Sequence, residues 1–309
     1  MIRALLLAIA LLIPFPANAQ DKNCTIVIDA QTGKTVHERG DCDTRRGAQS
    51  TFKIPLALMG FDSGILKDEH TPQWDYKEEY AASLETHRHS TDPVRWEKES
   101  VVWYSQELTK KLGMEKFKKY VGQFNYGNKD VSGDPGKNNG LTHSWLSSSL
   151  KISPREQTTF VRGILAQTHA VTSHAYDMTK AVLPEFTADG WAVHGKTGTG
   201  FKVKDNGAWN RDRQEGWFVG WAEKDGRTVI FANFIADTKK ENSYAGPRAR
   251  DAFIKKLPAI MTGTNEQNDY TPMTGRRKLC VTNKTSFRGQ FAAPPRTCLR
   301  TRPHTSARA

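Results

Sequence analysis

Beyond its first twenty residues this chain of 309 has no apolar run of membrane-spanning length. A helical membrane anchor in its body is therefore not expected. Cysteine is scarce at four residues, and nine histidines are scattered, so no Cys/His spacing suggests a zinc site and no metal is expected. No internal repeat is visible. Acidic residues are outnumbered, 33 Asp and Glu against 45 Lys and Arg, for a net charge of +12. The excess is uneven: residues 264–309 carry nine Lys or Arg against Glu266 and Asp269, which is +7 and leaves +5 elsewhere. A basic excess held mostly in a terminal segment says little about the domain, and no nucleic-acid partner is expected.

What is present begins with an export signal. Arg3 gives a positive start, residues 4–15 are apolar apart from Pro14, and Ala17-Asn18-Ala19 is a small-x-small cleavage site. Residues 1–19 read as a signal peptide, so the product is expected to be secreted, periplasmic in a Gram-negative source, with no membrane attachment after cleavage. Export makes the cysteines readable. Cys24 and Cys42 flank one strand-turn segment and could form a disulfide, two free thiols being the alternative. Cys280 and Cys298 could pair in the tail.

The 37% hydrophobic content fits a soluble globular domain, placed at residues 20–262. Residues 24–34 read as a strand ending in the turn Gln31-Thr32-Gly33-Lys34, and residues 54–65 as a buried helix. Residues 68–95 are polar and read as a surface loop; helices follow at 101–112 and 114–121. Residues 130–141, rich in Gly, Asp and Asn, form a loop, and Ser153-Pro154-Arg155-Glu156 starts a helix. Strands are expected at 191–197, 216–222 and 228–235, then a helix at 248–257. The expected fold is an α/β (α+β) sandwich: an antiparallel sheet from about 21–49 and 189–262, flanked by helices, with a mainly helical region inserted at about 50–188. The tail, 263–309, is basic and lacks periodicity, so disorder is expected there.

The chemistry is suggested by Ser50-Thr51-Phe52-Lys53. On a helix, residues three apart share a face, so the Ser50 hydroxyl and the Lys53 amine would meet. A serine needs a base to become a nucleophile, and a desolvated lysine can be one. By itself the pattern is weak, since an N-capping serine beside a solvated lysine looks the same. Four further segments agree with it. Ser100-Val101-Val102 begins a helix and offers a second hydroxyl. Tyr126-Gly127-Asn128 is a tight polar turn. Trp145 puts an indole donor among small residues in Trp145-Leu146-Ser147-Ser148-Ser149-Leu150. Lys196-Thr197-Gly198 ends a strand with a cation, a hydroxyl and a glycine, groups that suit a substrate carboxylate.

Taken together and in this order, these motifs closely resemble those of the class D (oxacillinase-type) serine β-lactamases, within the penicillin-recognising serine enzymes. Gln214-Glu215-Gly216-Trp217-Phe218-Val219-Gly220 also looks like the family's next strand. The resemblance spans about 24–257, and the tail departs from it. It implies hydrolysis of β-lactams, oxacillin-type penicillins included, with Ser50 as the acylated nucleophile. Lys53 would be the general base, carboxylated by CO2 from bicarbonate, with Val102 lining its pocket and Trp145 holding the carbamate. Ser100 would relay a proton to the leaving nitrogen. Backbone N–H groups of Ser50 and Thr199 would form the oxyanion hole, and Lys196, Thr197 and an arginine would hold the carboxylate. Arg248 and Arg250 both qualify as that arginine; Arg250 fits better because Phe253 and Leu257 follow it at core-facing spacing. No cofactor other than CO2 is implied, and the partner is a small-molecule β-lactam, for a monomer or homodimer.

Two other classes compete. A β-lactam sensor acylates without efficient hydrolysis but signals through transmembrane helices. A transpeptidase or carboxypeptidase site usually has Ser-x-Asn where this chain has Ser100-Val101-Val102. A class A β-lactamase would need Ser-Asp-Asn, which is absent.

Overall fold

The computed structural model describes residues 22–80, 82, 84–203 and 209–263. The signal peptide, Cys280, Cys298 and the tail from 264 lie outside the described residues. Strands β1 (Cys24–Asp29) and β2 (Thr35–Gly40) form a hairpin across the expected Gln31–Lys34 turn. A two-residue strand β3 (Arg46–Gly47) leads to a 3-10 turn, Gln49–Phe52, that runs straight into α1 (Lys53–Asp62). Then come α2 (Pro93–Glu99), α3 (Val102–Leu112), α4 (Met114–Gln123), α5 (Gly140–His143), β4 (Lys151–Ile152), α6 (Pro154–Leu165) and α7 (Ser173–Val182). The chain returns to the sheet with β5 (Glu185–Ala188), β6 (Trp191–Val203), β7 (Trp209–Lys224) and β8 (Arg227–Ala236), and α8 (Ala245–Thr262) follows.

The large sheet is antiparallel in the order β2-β1-β8-β7-β6-β5. Successive residues of a strand point to opposite faces, and both faces here are covered. Ile26, Ile28, Trp217, Val219, Ile230 and Ala232 join the core under the helical region. Val27, Phe218, Val229 and Phe231 pack against Ala249, Phe253 and Leu257 of α8. The result is the expected antiparallel sheet flanked by helices.

Several boundaries differ from the sequence reading. The 68–95 loop ends in α2, where Asp92 caps the Arg95 N–H and Pro93 occupies the first turn. Helix α7 and strand β5 were not expected. The Lys196-Thr197-Gly198 motif does not end its strand: β6 continues to Val203, with Gly198 opposite Trp217 and Gly200 opposite Glu215. Gly198 reads as a strand end, but cross-strand pairing overrides the poor strand preference of glycine there and at Gly200. The expected start at Ser153 holds, and it is a complete capping box with Glu156.

Cys24 and Cys42, both buried, form a disulfide that closes the β1–β2 hairpin on the next segment, a sequence separation of 18. A loop of that size is worth about 3 kcal/mol in the chain-entropy account. Replacing both cysteines by serine is expected to lower unfolding free energy by about that amount in urea titration. Activity should be nearly unchanged, because neither sulfur touches the site described next.

Candidate active site

The 3-10 turn carrying Ser50 is held from several sides. The Gln49 N–H donates to the Trp145 carbonyl at 2.9 Å, and the Gln49 side-chain amide donates to Ser147 Oγ at 2.6 Å. Thr51 Oγ1 donates to the Ala48 carbonyl and accepts from Gln157 Nε2 at 2.8 Å. Ser50 itself stays partly accessible, whereas Lys53, first residue of α1, is only 1% exposed. Lys53 Nζ donates to Ser50 Oγ at 3.4 Å, so the expected pairing of hydroxyl and amine is formed. Burial brings the Lys53 amine down to about 7; Lys196 pushes it further down and Glu97 partly offsets this. Near neutral pH it can therefore exist without its extra proton, the form with a lone pair for proton or CO2 capture.

Strand β6 supplies the opposite wall. Lys196, Gly198 and Gly200 share one face of β6, toward the Ser50 turn, and all three are buried. A Cβ at Gly198 would lie 3.2 Å from the Ser50 backbone nitrogen, so the glycine permits the close approach. Strand pairing with β5 stops at His194, and beyond it the strand paired with β6 among the described residues is β7. Lys196 Nζ donates to Ser100 Oγ at 3.0 Å and to the Thr197 carbonyl at 3.2 Å. Thr197 and Thr199 lie on the other face, where Thr199 Oγ1 accepts from the Gly246 N–H at 2.9 Å.

Ser100 does not begin a helix as expected. It is the left-handed C-cap of α2, with φ 63°, and α3 starts two residues later with Val101 at its N-cap. The kink between the two helices aims its hydroxyl at Lys196. Val101 is fully buried and Val102 partly so.

Trp145 is 1% exposed and stacks on Phe52, the residue before Lys53, at 5.3 Å between centroids. Phe117 packs edge-on against both rings. The Trp145 indole N–H donates to no described residue. Tyr126-Gly127-Asn128 forms a turn. Gly127 has φ 52°, and a Cβ there would sit 2.0 Å from the Lys151 carbonyl oxygen. Asn128 Nδ2 donates to the Ser149 carbonyl at 2.8 Å, while its Oδ1 accepts from the Lys151 N–H at 2.9 Å. Tyr126 packs edge-on against Phe52 at 5.3 Å. The turn thus fixes the segment that carries Trp145 and Ser147.

Both candidate arginines lie on α8. Arg248 is bidentate to Asp237 at 2.9 and 2.6 Å. Arg250 pairs with neighbouring Asp251 at 2.8 Å and lies over the Phe186 ring at 5.0 Å. Arg248 spends both terminal nitrogens on a nearly buried carboxylate, whereas the Arg250 partner is exposed, so Arg250 is the freer of the two. Neither is hydrogen-bonded to Lys196, Thr197 or Thr199.

Sequence reasoning missed two residues of this centre. Gln49 packs beneath Gly198 and Gly200 and bridges to Ser147. Glu97 on α2 is fully buried beside the lysine pair. Its signal was readable: with Pro93 and Trp96 it repeats the i, i+3, i+4 spacing of a core-facing helix. Among the described residues no group of three or more His, Cys, Asp or Glu could hold a metal ion.

Residues 23–258 match the family of the penicillin binding protein transpeptidase domain. The chain is 46% identical over 263 residues to β-lactamase OXA-9 of Klebsiella pneumoniae, covering 83% of this chain and 96% of that protein. The chain belongs to the class D β-lactamases. It is also 36% identical to β-lactamase OXA-1 of Escherichia coli, over 77% of this chain and 85% of that one. The crystal structure of the class D β-lactamase OXA-427 superposes with a TM-score of 0.72 at 42% identity, covering 79% of this chain and all of that one. As a class D β-lactamase the protein is a serine hydrolase of β-lactams.

Proposed function

We propose that Ser50 is the nucleophile and that a CO2-modified Lys53 is the base for both acylation and deacylation. The observation that carries this is the Lys53 amine, buried and 3.4 Å from Ser50 Oγ, with its proton affinity lowered to about 7. The donor set fits a carbamate there: a neutral amine to form it and, to hold it, an indole N–H on Trp145 with no hydrogen-bond partner among the described residues. When formed, the carbamate supplies an oxygen base that an ammonium cannot.

The remaining roles belong to this chain's own groups. Ser50 Oγ attacks the β-lactam carbonyl, and the backbone N–H groups of Ser50 and Thr199 stabilise the oxyanion; the contact at Gly198 brings these two segments together. Ser100, hydrogen-bonded to Lys196, delivers a proton to the departing lactam nitrogen. Lys196, Thr197 and Arg250 hold the substrate carboxylate, and Val102 closes the Lys53 pocket. The Ala17-Asn18-Ala19 site supports export to the periplasm. Domain limits of 20–262 are supported by the family match over 23–258.

The test is turnover of oxacillin and of a chromogenic cephalosporin by the purified mature protein, with and without bicarbonate, from pH 5.5 to 8.5. Lys53 carries its proton below about 7 and is neutral above it. Activity in CO2-depleted buffer should therefore be low, and added bicarbonate should restore it more completely at pH 8 than at pH 6. A single stoichiometric burst with stable acylation of Ser50 would instead indicate a binder that does not hydrolyse. Sustained turnover indifferent to bicarbonate would remove the modified lysine.

A further inference from the structure

Glu97 is the one acidic side chain buried in the centre. It is 0% exposed, and neither carboxylate oxygen has a hydrogen-bond partner among the described residues. An uncompensated buried carboxylate is costly, so a bare acid is expected to give up its charge unless a cation is near. Two cations are near: Lys196 and Lys53 both act on it electrostatically, and it acts on both in return. Burial raises the proton affinity of Glu97 and lowers that of each lysine. The other titratable group facing this cluster is His87, also buried, which burial and Lys53 keep toward its neutral form. The charged residues of the helices packed on α2 are paired elsewhere. Glu107 binds Lys110 on α3, Asp177 binds Lys180 on α7, and Lys111 lies over Trp74. Glu99, on the same helix, is taken up by Arg95 and His89.

The pocket thus holds Glu97, the two lysines and His87, and among the described residues no other anion. With Lys53 unmodified, an ionised Glu97 is the counter-charge of Lys196. With Lys53 carboxylated, the new carbamate supplies that negative charge, and a second buried anion beside it would be repelled. We propose that Glu97 and the Lys53 carbamate alternate as the single anion of this pocket, and that Glu97 accepts the proton which carboxylation of Lys53 releases. The step balances. Lys53 Nζ forms a bond to the carbon of CO2, one N–H proton leaves the nitrogen, the negative charge passes to the carbamate oxygens, and the Glu97 carboxylate becomes a neutral acid. Glu97 acts through Lys53 rather than on the substrate, so it is a positioning residue for charge. An ionised Glu97 holds the proton on Lys53 and disfavours the carbamate, which sets how much CO2 the enzyme needs.

This inference rests on the modified-lysine reading, and the test separates the two. The full-length mature protein is titrated with 13C-bicarbonate at pH 6, 7 and 8.5, following the carbamate by 13C NMR and carboxyl protonation by infrared difference spectroscopy. The expected result is a protonated-carboxyl band that grows in step with the carbamate signal at pH 7 and 8.5. In Glu97→Gln that band should be lost, while the bicarbonate needed for half-carboxylation falls roughly tenfold at pH 8.5 and less at pH 6. Glu97→Asp keeps an ionisable carboxyl and should return the pH dependence toward that of the parent. A carbamate that forms without any carboxyl band, or a bicarbonate requirement that Glu97→Gln leaves unchanged, overturns the proposal while leaving the modified lysine intact. No carbamate in the parent at any bicarbonate concentration overturns both. If the Gln variant fails to fold, the infrared result on the parent decides alone.

Discussion

Lys53→Ala is expected to lower kcat/KM for penicillins by at least ~10³-fold, near the top of what a general base contributes. The reason is geometric. Among the described residues Lys53 is the only side chain hydrogen-bonded to Ser50 Oγ. Without it no group can take the proton as the hydroxyl attacks or as water attacks the acyl-enzyme. Stopped-flow acylation and steady-state hydrolysis check both halves; a variant within tenfold of the parent would refute the assignment. Stability should move the other way. The folded state holds the amine near 7, whereas an unfolded lysine keeps its proton to about 10.5. Burial therefore costs stability in full below about pH 7, progressively less between 7 and 10.5, and nothing above. Lys53→Met, which fills similar space without a charge, should raise stability by a few kcal/mol at pH 6–7 in CO2-depleted buffer. That gain should vanish near pH 10.5. Loss of activity with a gain of stability would mark Lys53 as a residue kept for chemistry at a structural cost.

How much of this was legible from the sequence depends on how local each feature is. Ser50 and Lys53 are one helical turn apart, so spacing alone places them together. The Ser153 capping box and the Gln31–Lys34 turn are likewise written in neighbouring residues. The sheet order is not local: β1 pairs with β8 across some two hundred residues, and only tertiary packing decides that. Ser100 shows the intermediate case. A serine ahead of an apolar run reads as a helix start, yet it caps the preceding helix in a left-handed conformation, because its hydroxyl is drawn to Lys196 from 96 residues away. Glu97 escaped because a Glu between Trp96 and Lys98 looks solvated. Its burial follows from α2, whose Pro93, Trp96, Glu97 spacing is readable only once the end of the polar segment is taken as helix. Spacing favoured Arg250 over Arg248 only through Phe253 and Leu257; Asp237, which occupies Arg248, comes from just past the end of β8 and is not local to either.

Trp145 packs in the core and, in the proposed mechanism, also holds the Lys53 carbamate, and two substitutions should divide these roles. Its ring fills a fully packed space between Phe52 and Phe117, so Trp145→Ala is expected to cost about 3–5 kcal/mol of stability. Trp145→Phe keeps an aromatic ring against Phe52 but removes the indole N–H. Stability should then fall by much less. If that N–H holds the carbamate, the lost charge-assisted hydrogen bond should raise the bicarbonate needed for half-maximal activity by roughly 10- to 100-fold. Deacylation should suffer more than acylation at low bicarbonate, so acyl-enzyme should accumulate and be seen by mass spectrometry of Ser50. Saturating bicarbonate should restore most of the rate in Trp145→Phe, because mass action replaces the missing bond. Rescue cannot repair packing, so Trp145→Ala should regain turnover but not thermal stability. If Trp145→Phe has the parent's bicarbonate dependence, Trp145 is a core residue only, and another donor must hold the modified lysine.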